Sequence, residues 1–230
     1  MAMTFLQLVN RLRGECGVGN SDLAALTGLS GQNLKCKDWI ADAYVELQNK
    51  RPDWEWMRTA FSFTTTEDQQ LYTLANVGIS ATFASYKPDS FRIYRTADGY
   101  STEQYLQHNQ NYDEWRDVWQ FGANRTNTGQ PTEFVITPNK SIGLSPIPDD
   151  TGYTVLGEYY TTAVELSVAA DEPAFPDRFH MILVYDAMMR YGVYEAAAEV
   201  YQRGEAKYRE LMNQLELDQL PAIEFPEPLL

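Results

Sequence analysis

Cysteine and histidine are scarce in this chain. Cys16, Cys36, His108 and His180 are the whole supply in 230 residues. Two cysteines make neither a disulfide framework nor a zinc site, so both are expected as free thiols in a reducing setting. Long apolar runs are missing as well. No stretch approaches the roughly 20 apolar residues that span a bilayer, and the start Met1–Phe5 lacks the basic and apolar regions of a signal peptide. No membrane is expected as a partner, and the sequons at Asn124 and Asn139 carry no meaning in such a setting. Positive charge is the third shortage: 18 Lys and Arg stand against 32 Asp and Glu, a net charge of −14. The excess lies beyond residue 60, because residues 1–60 hold seven acids and seven bases. A surplus of acid repels phosphate, which argues against a groove that grips nucleic acid.

The patterns of catalysis are also thin. Gly14, Gly17 and Gly19 do not fit GxGxxG and follow no strand, so they are read as a helix end and not as a phosphate loop. No nucleophile-elbow pattern supports a Ser-His-Asp arrangement. The acid pairs Glu67-Asp68, Asp113-Glu114 and Asp149-Asp150 read as solvated turns and helix edges, whereas a glycosidase pair needs an enclosed site. Asp149, Asp150 and Thr151 are too few for a calcium loop. His180 beside Phe179 reads as structural, and His108 has no partner at ligand spacing. No catalytic residue, metal or cofactor is expected.

What the chain does have is a long helical pattern, Pro176 to Leu217. Pro176 suits a first turn, where its missing N–H costs nothing. Phe179, Ile182, Leu183, Met189, Val193, Ala197, Val200, Tyr201, Tyr208, Leu211, Met212 and Leu215 recur at spacings of three and four, giving one broad apolar face. Gly192 and Gly204 are the expected bends or breaks, which leaves one bent helix or two stacked ones. The N-terminal segments are the candidates to cover that face. Thr4 and Gln7 form a capping-box pattern before Phe5, Leu8, Val9 and Leu12. A second helix spans about Gln32 to Lys50, with Leu34, Ile40, Ala43, Tyr44 and Leu47 on one side, and Arg51-Pro52 stops it. Trp54, Trp56 and Met57 follow as a core cluster.

From Phe61 the period becomes two. Phe61 and Phe63, Leu71–Leu74, Phe91–Tyr94, Phe134–Ile136, Ile142–Leu144 and Tyr153–Tyr160 read as strands. Tyr112, Trp115 and Trp119 suggest a short helix among them, and Asp149–Gly152 a hairpin connection. The expected fold is α+β: a helical bundle from residues 1–59 and 166–217, an inserted antiparallel β domain at 60–165, and an extended arm at 218–230. Three prolines, Pro221, Pro226 and Pro228, forbid a regular helix in the arm. Its Ile223, Phe225, Leu229 and Leu230 are more apolar than a solvated tail needs and are the candidate contacts with a neighbouring protein.

The blocks Trp39–Tyr44, Pro52–Met57, Gly129–Phe134, Ile142–Asp149 and Pro176–His180 follow one another in an order that resembles the head-to-tail adaptor, or connector, proteins of tailed bacteriophages, including their tail tubular A-type members. The likeness spans nearly the whole chain, although each block is short. It implies a non-enzymatic virion protein made in the host bacterial cytoplasm and placed at the head–tail junction. It also implies a ring of twelve copies under the portal protein, a docking face for a tail or nozzle protein, and genomic DNA passing through without sequence-specific contact. Its arm would reach the portal or a neighbouring subunit. Two alternatives stay open from the residues: a virion-associated cell-wall hydrolase, and a neck or tail-completion protein of a long-tailed phage.

Overall fold

A computed structural model describes residues 2–19, 21–79 and 82–220. In chain order these form α1 (Phe5–Cys16), α2 (Gly31–Lys50), β1 (Arg58–Thr64), β2 (Leu71–Tyr72), β3 (Phe83–Arg95), β4 (Gln104–Tyr105) and β5 (Gln107–Asn109). There follow α3 (Tyr112–Trp119), β6 (Glu133–Ile136), β7 (Ile142–Ser145), β8 (Tyr153–Thr161), α4 (Met181–Tyr194) and α5 (Ala198–Gln219). The fold is α+β. Two compact units divide it, one from Met1–Met57 with Ala163–Leu230, the other Arg58–Thr162.

The helical unit is built on α4, against which α1, α2 and α5 all pack. The capping box at Thr4 forms in both directions, Thr4 Oγ1 accepting from the Gln7 amide and Gln7 Oε1 from the Thr4 amide. Two more first-turn donors are met by the loop before α4: Phe5 N–H reaches Asp171 O at 2.7 Å and Leu6 N–H reaches Ala169 O at 3.1 Å. Those bonds satisfy groups that a helix start otherwise leaves without partners. They hold the Phe5, Leu8, Val9 and Leu12 stripe fully inside. Gln48 plays a similar part on α2, its amide giving to and taking from the Val164 backbone at 2.8 and 3.0 Å. Trp54 is fully buried with its Nε1–H on Leu47 O, and its ring stacks on Trp56 at 4.3 Å.

Several details differ from expectation. The long C-terminal pattern is two stacked helices, and the break falls at Glu195–Ala197, where Ala196 has φ 53°. Neither Gly192 nor Gly204 breaks a helix. Each lies within one, at a point where α4 and α5 touch: a Cβ on Gly192 would stand 2.8 Å from Tyr201 Cβ, and one on Gly204 2.9 Å from Tyr185 O. Val193, counted toward the apolar face, is 73% exposed. On α2 the buried stripe is Cys36, Ile40, Ala43, Tyr44 and Leu47, and Leu34 is 39% exposed. Leu34 lies two residues before Cys36, about 200° round the helix at 100° per residue, so the two point opposite ways. At the chain's end, α5 carries on through Asp218 and Gln219 before the backbone becomes extended at Leu220.

The β unit holds two four-stranded sheets, ordered β1-β8-β3-β4 and β2-β7-β6-β5. One apolar core joins them, and Phe91 of β3 stacks on Phe134 of β6 at 4.0 Å. The Asp149–Gly152 segment is not the expected hairpin. β7 already has β6 and β2 on its two edges, so β8 joins the other sheet between β1 and β3. The pairing is also not purely antiparallel, because β5 runs parallel to β6. Parallel neighbours need a crossover, and α3 supplies it. That is the physical reason for a helix inside a strand-rich region. Trp115, fully buried on α3, covers Gly143 of β7, where a Cβ would meet its ring at 2.8 Å.

Candidate partner-binding surface

The four residues expected to contact a partner, Ile223, Phe225, Leu229 and Leu230, lie outside the described residues. The structure does describe the root from which the arm leaves. There Arg178, just before α4, pairs with Asp218 in the last turn of α5. The hydrogen bond from Arg178 holds the Asp218 carboxyl below the usual aspartate range, aided by Gln219 Nε2–H at 2.9 Å. Phe179, Gln214 and Leu217 complete a hollow of about 290 Å³ beside this pair. Leu217 is 88% exposed, an apolar side chain left in water three residues before the described chain ends.

The groups that chemistry would need are occupied or dispersed. His180 is buried with both ring nitrogens engaged: Nδ1 accepts from Met3 N–H at 3.0 Å, which leaves Nε2–H to donate to Phe175 O at 3.0 Å. That arrangement makes it a clasp between the chain's start and the approach to α4. His108 on β5 stacks against Phe134, and burial there pushes its imidazole below the ordinary range against the pull of Asp89. The Glu67-Asp68, Asp113-Glu114 and Asp149-Asp150 side chains are all exposed. Asp149 accepts from Tyr153 Oη at 2.8 Å, and Asp150 from Gly152 N–H at 3.1 Å. Among the described residues, no three His, Cys, Asp or Glu side chains are grouped to hold a metal ion. Cys16 and Cys36 are free, with burial raising their thiols to about 12 and about 11. No helix among the described residues is long and apolar enough to cross a membrane.

This arrangement offers surface and anchoring. The profile of the SU10 adaptor protein family matches residues 3–224. The chain belongs to that family. It is a phage head-to-tail adaptor protein, a structural component of the virion. No curated protein matches the chain. The family match covers the adaptor from α1 to α5 and ends at residue 224.

Two surface features of the adaptor escaped sequence reasoning. The Leu217 hollow was hidden because Leu217 lies two residues past Leu215, about 200° round the helix from the stripe that ends there. The second, at the α4–α5 elbow, involves Val193 and Tyr201, which share the apolar period of true core positions. Periodicity reports a face and does not report whether anything covers it.

Proposed function

We propose that the adaptor assembles as a ring of twelve copies beneath the portal, lengthens the DNA channel, and presents a docking face to the tail. Membership of the head-to-tail adaptor family over residues 3–224 carries this reading. A head-to-tail interface closes into a ring when its rotation fits, and identical copies need only one such interface. The net charge of −14 suits a conduit wall past which a phosphate polymer slides without sticking. In this reading the helical residues 1–59 and 166–217 brace the ring, and the β-rich residues 60–165 project from it. The arm that follows α5 places Ile223, Phe225, Leu229 and Leu230 on the portal or the neighbouring copy.

An interface completed only on the portal leaves free subunits without a full set of contacts. The free protein is therefore a monomer that rings up on the portal. Electron microscopy of purified portal, with and without this protein, tests the reading. Added density with twelve-fold symmetry on one portal face is the expected result. Portal particles left unchanged at saturating protein would overturn it, as would stable rings formed without portal after residues 219–230 are deleted.

A further inference from the structure

The elbow between α4 and α5 carries a surface that the adaptor's described residues leave uncovered. On one side the elbow is fastened to α2. Trp39 packs against Tyr191 and Tyr194 at 6.2 and 5.7 Å, Lys35 Nζ sits 4.4 Å over the Tyr194 ring, and Gln32 Nε2–H reaches Glu195 Oε1 at 2.7 Å. Two hollows meet along the α4–α5 seam. One, of about 270 Å³, is lined by Gly192, Val193, Ala196, Ala198, Tyr201 and Gln202. The other, of about 410 Å³, shares Val193 and Tyr201 and adds Met189, Glu46, Asp186 and Arg190. Together they make a trough with an apolar middle, and the exposed Val193 stands in it.

The charge at one end of the trough is one-sided. Arg190 faces three carboxylates: Glu46 at 2.6 Å, Asp186 at 2.8 Å and Asp42 at 3.8 Å. Its guanidinium is mostly covered, whereas the Asp42 and Glu46 side chains are 63% and 65% exposed. Lys50, the other nearby cation, has its ammonium turned onto the Tyr208 ring. An acidic rim beside an apolar trough is complementary to a segment that carries a cation next to an apolar side chain. A second copy of this chain, with a net charge of −14 and most of its arginines committed, is the poorer match. Arg11, Arg51, Arg92, Arg178, Arg203 and Arg209 each already face a carboxylate of their own molecule. Duplex DNA is repelled by the same rim.

We propose that this trough docks a basic, apolar segment of another virion protein, its apolar side chain against Val193 and Tyr201 and its lysine or arginine against Asp42 and Glu46. The proposal rests on the adaptor reading and names one of its interfaces. The arm and the trough are separate contacts, so removal of either leaves the other to be measured.

Purified portal protein and purified tail protein of the same phage are the probes, each titrated against the full-length adaptor. Val193→Asp and Asp42→Lys change exposed side chains, so a thermal midpoint equal to that of the wild type certifies their fold. Glu172→Lys, an equal charge change at another exposed position, is the control. Both trough variants are expected to bind one of the two probes about tenfold more weakly or worse, with the control unchanged and the wild-type affinity falling as salt rises. Wild-type-like affinity of both variants for both probes would overturn the trough while leaving the adaptor reading intact. Loss of self-association in place of probe binding would assign the surface to a second copy and also overturn it. A wild-type protein that binds neither probe would end the adaptor reading, and this proposal with it.

Discussion

Gly204 of α5 lies against the backbone carbonyl of Tyr185 in α4, so near that a Cβ there would be 2.9 Å from the oxygen and 3.1 Å from Met188 Cβ. Helix propensity alone says that alanine should gain about 1 kcal/mol over glycine at an interior position. Here overpacking, about 1–3 kcal/mol, opposes that gain, and the obstacle is backbone that cannot swing away. Gly204→Ala and Gly192→Ala are therefore expected to lower the urea midpoint. Gly14→Ala on α1, with nothing within 4 Å of its added Cβ, is expected to raise stability by about 0.5–1 kcal/mol. Equal effects at all three sites would mean that α4 and α5 are not in close contact.

Trp115 Nε1–H donates to Ser145 Oγ at 2.7 Å, and both residues are fully buried. Ser145→Ala removes the acceptor and leaves the indole N–H dry, at a cost of about 1–3 kcal/mol. Equilibrium unfolding followed by tryptophan fluorescence checks it. A loss under about 0.5 kcal/mol would show that another acceptor replaces the hydroxyl.

How far the residues foretold these contacts depended on range. Thr4, Gln7 and the Phe5–Leu12 stripe act within one turn or two, and the α1 cap and its buried face were legible from them. The period of two through Phe61 and Phe63 was equally local, and so was the three-and-four spacing of Tyr112, Trp115 and Trp119. The α+β class followed from these. What was not legible is set by partners distant in sequence. Glycine serves both as a helix break and as a close-contact residue, so Gly192 and Gly204 pointed to the first while the fold uses the second. The break went instead to Ala196, a residue type with no such signal. The first half of β3 was missed because Pro88 and the irregular register between Lys87 and Arg92 interrupt its alternation. As for the candidate site, Ile223, Phe225, Leu229 and Leu230 were nominated from composition and lie outside the described residues, while the elbow trough was invisible because Val193 and Tyr201 keep the core's period.

Glu158 on β8 is shared by Arg58 at 2.9 Å and Lys87 at 3.4 Å. Partial burial raises its carboxyl, but the two cations outweigh that and hold it below the usual glutamate value. A depressed acid contributes stability that is complete above its ordinary pKa, about 4.3, and is lost as pH falls through the lowered folded value. Glu158→Gln is thus expected to cost up to about 1 kcal/mol at pH 7, a modest amount because the group is part-exposed. The gap to the wild type should close below about pH 4. Urea midpoints of both proteins across that range measure it, and a gap that widens in acid would contradict the assignment.

The two thiols make a simpler test. Burial is the leading cause of the rise of Cys16 to about 12 and Cys36 to about 11, so thiolate is scarce at neutral pH. Maleimide at pH 7.5 is expected to leave both unmodified in the folded protein and to label both in urea. Prompt labelling of either in the native state would place that thiol in an open, electropositive setting.

Asp186 gives the opposite pH dependence from Glu158. Burial, its largest influence, lifts its carboxyl above the ordinary aspartate value despite the hydrogen bond from Arg190 at 2.8 Å. An acid with a raised folded pKa costs stability while ionised, and the cost is relieved as pH falls through the raised value. Arg190→Met strips away the one cation bonded to Asp186 and keeps most of the packing, so the cost of the lone carboxylate grows. The loss at pH 7 is expected at about 1–3 kcal/mol, below the range for fully buried pairs because Arg190 is part-exposed. Protonation removes the unpaired charge, so the deficit of Arg190→Met should shrink as pH falls from 7 toward 4.5. Asp186→Asn in the Arg190→Met background should recover part of the loss at pH 7 and weaken that pH dependence, the remainder belonging to Glu46 and Asp42, which Arg190 also faces. A deficit that stays constant with pH, in the single variant, would mean that Arg190 acts through its packing and not through its charge.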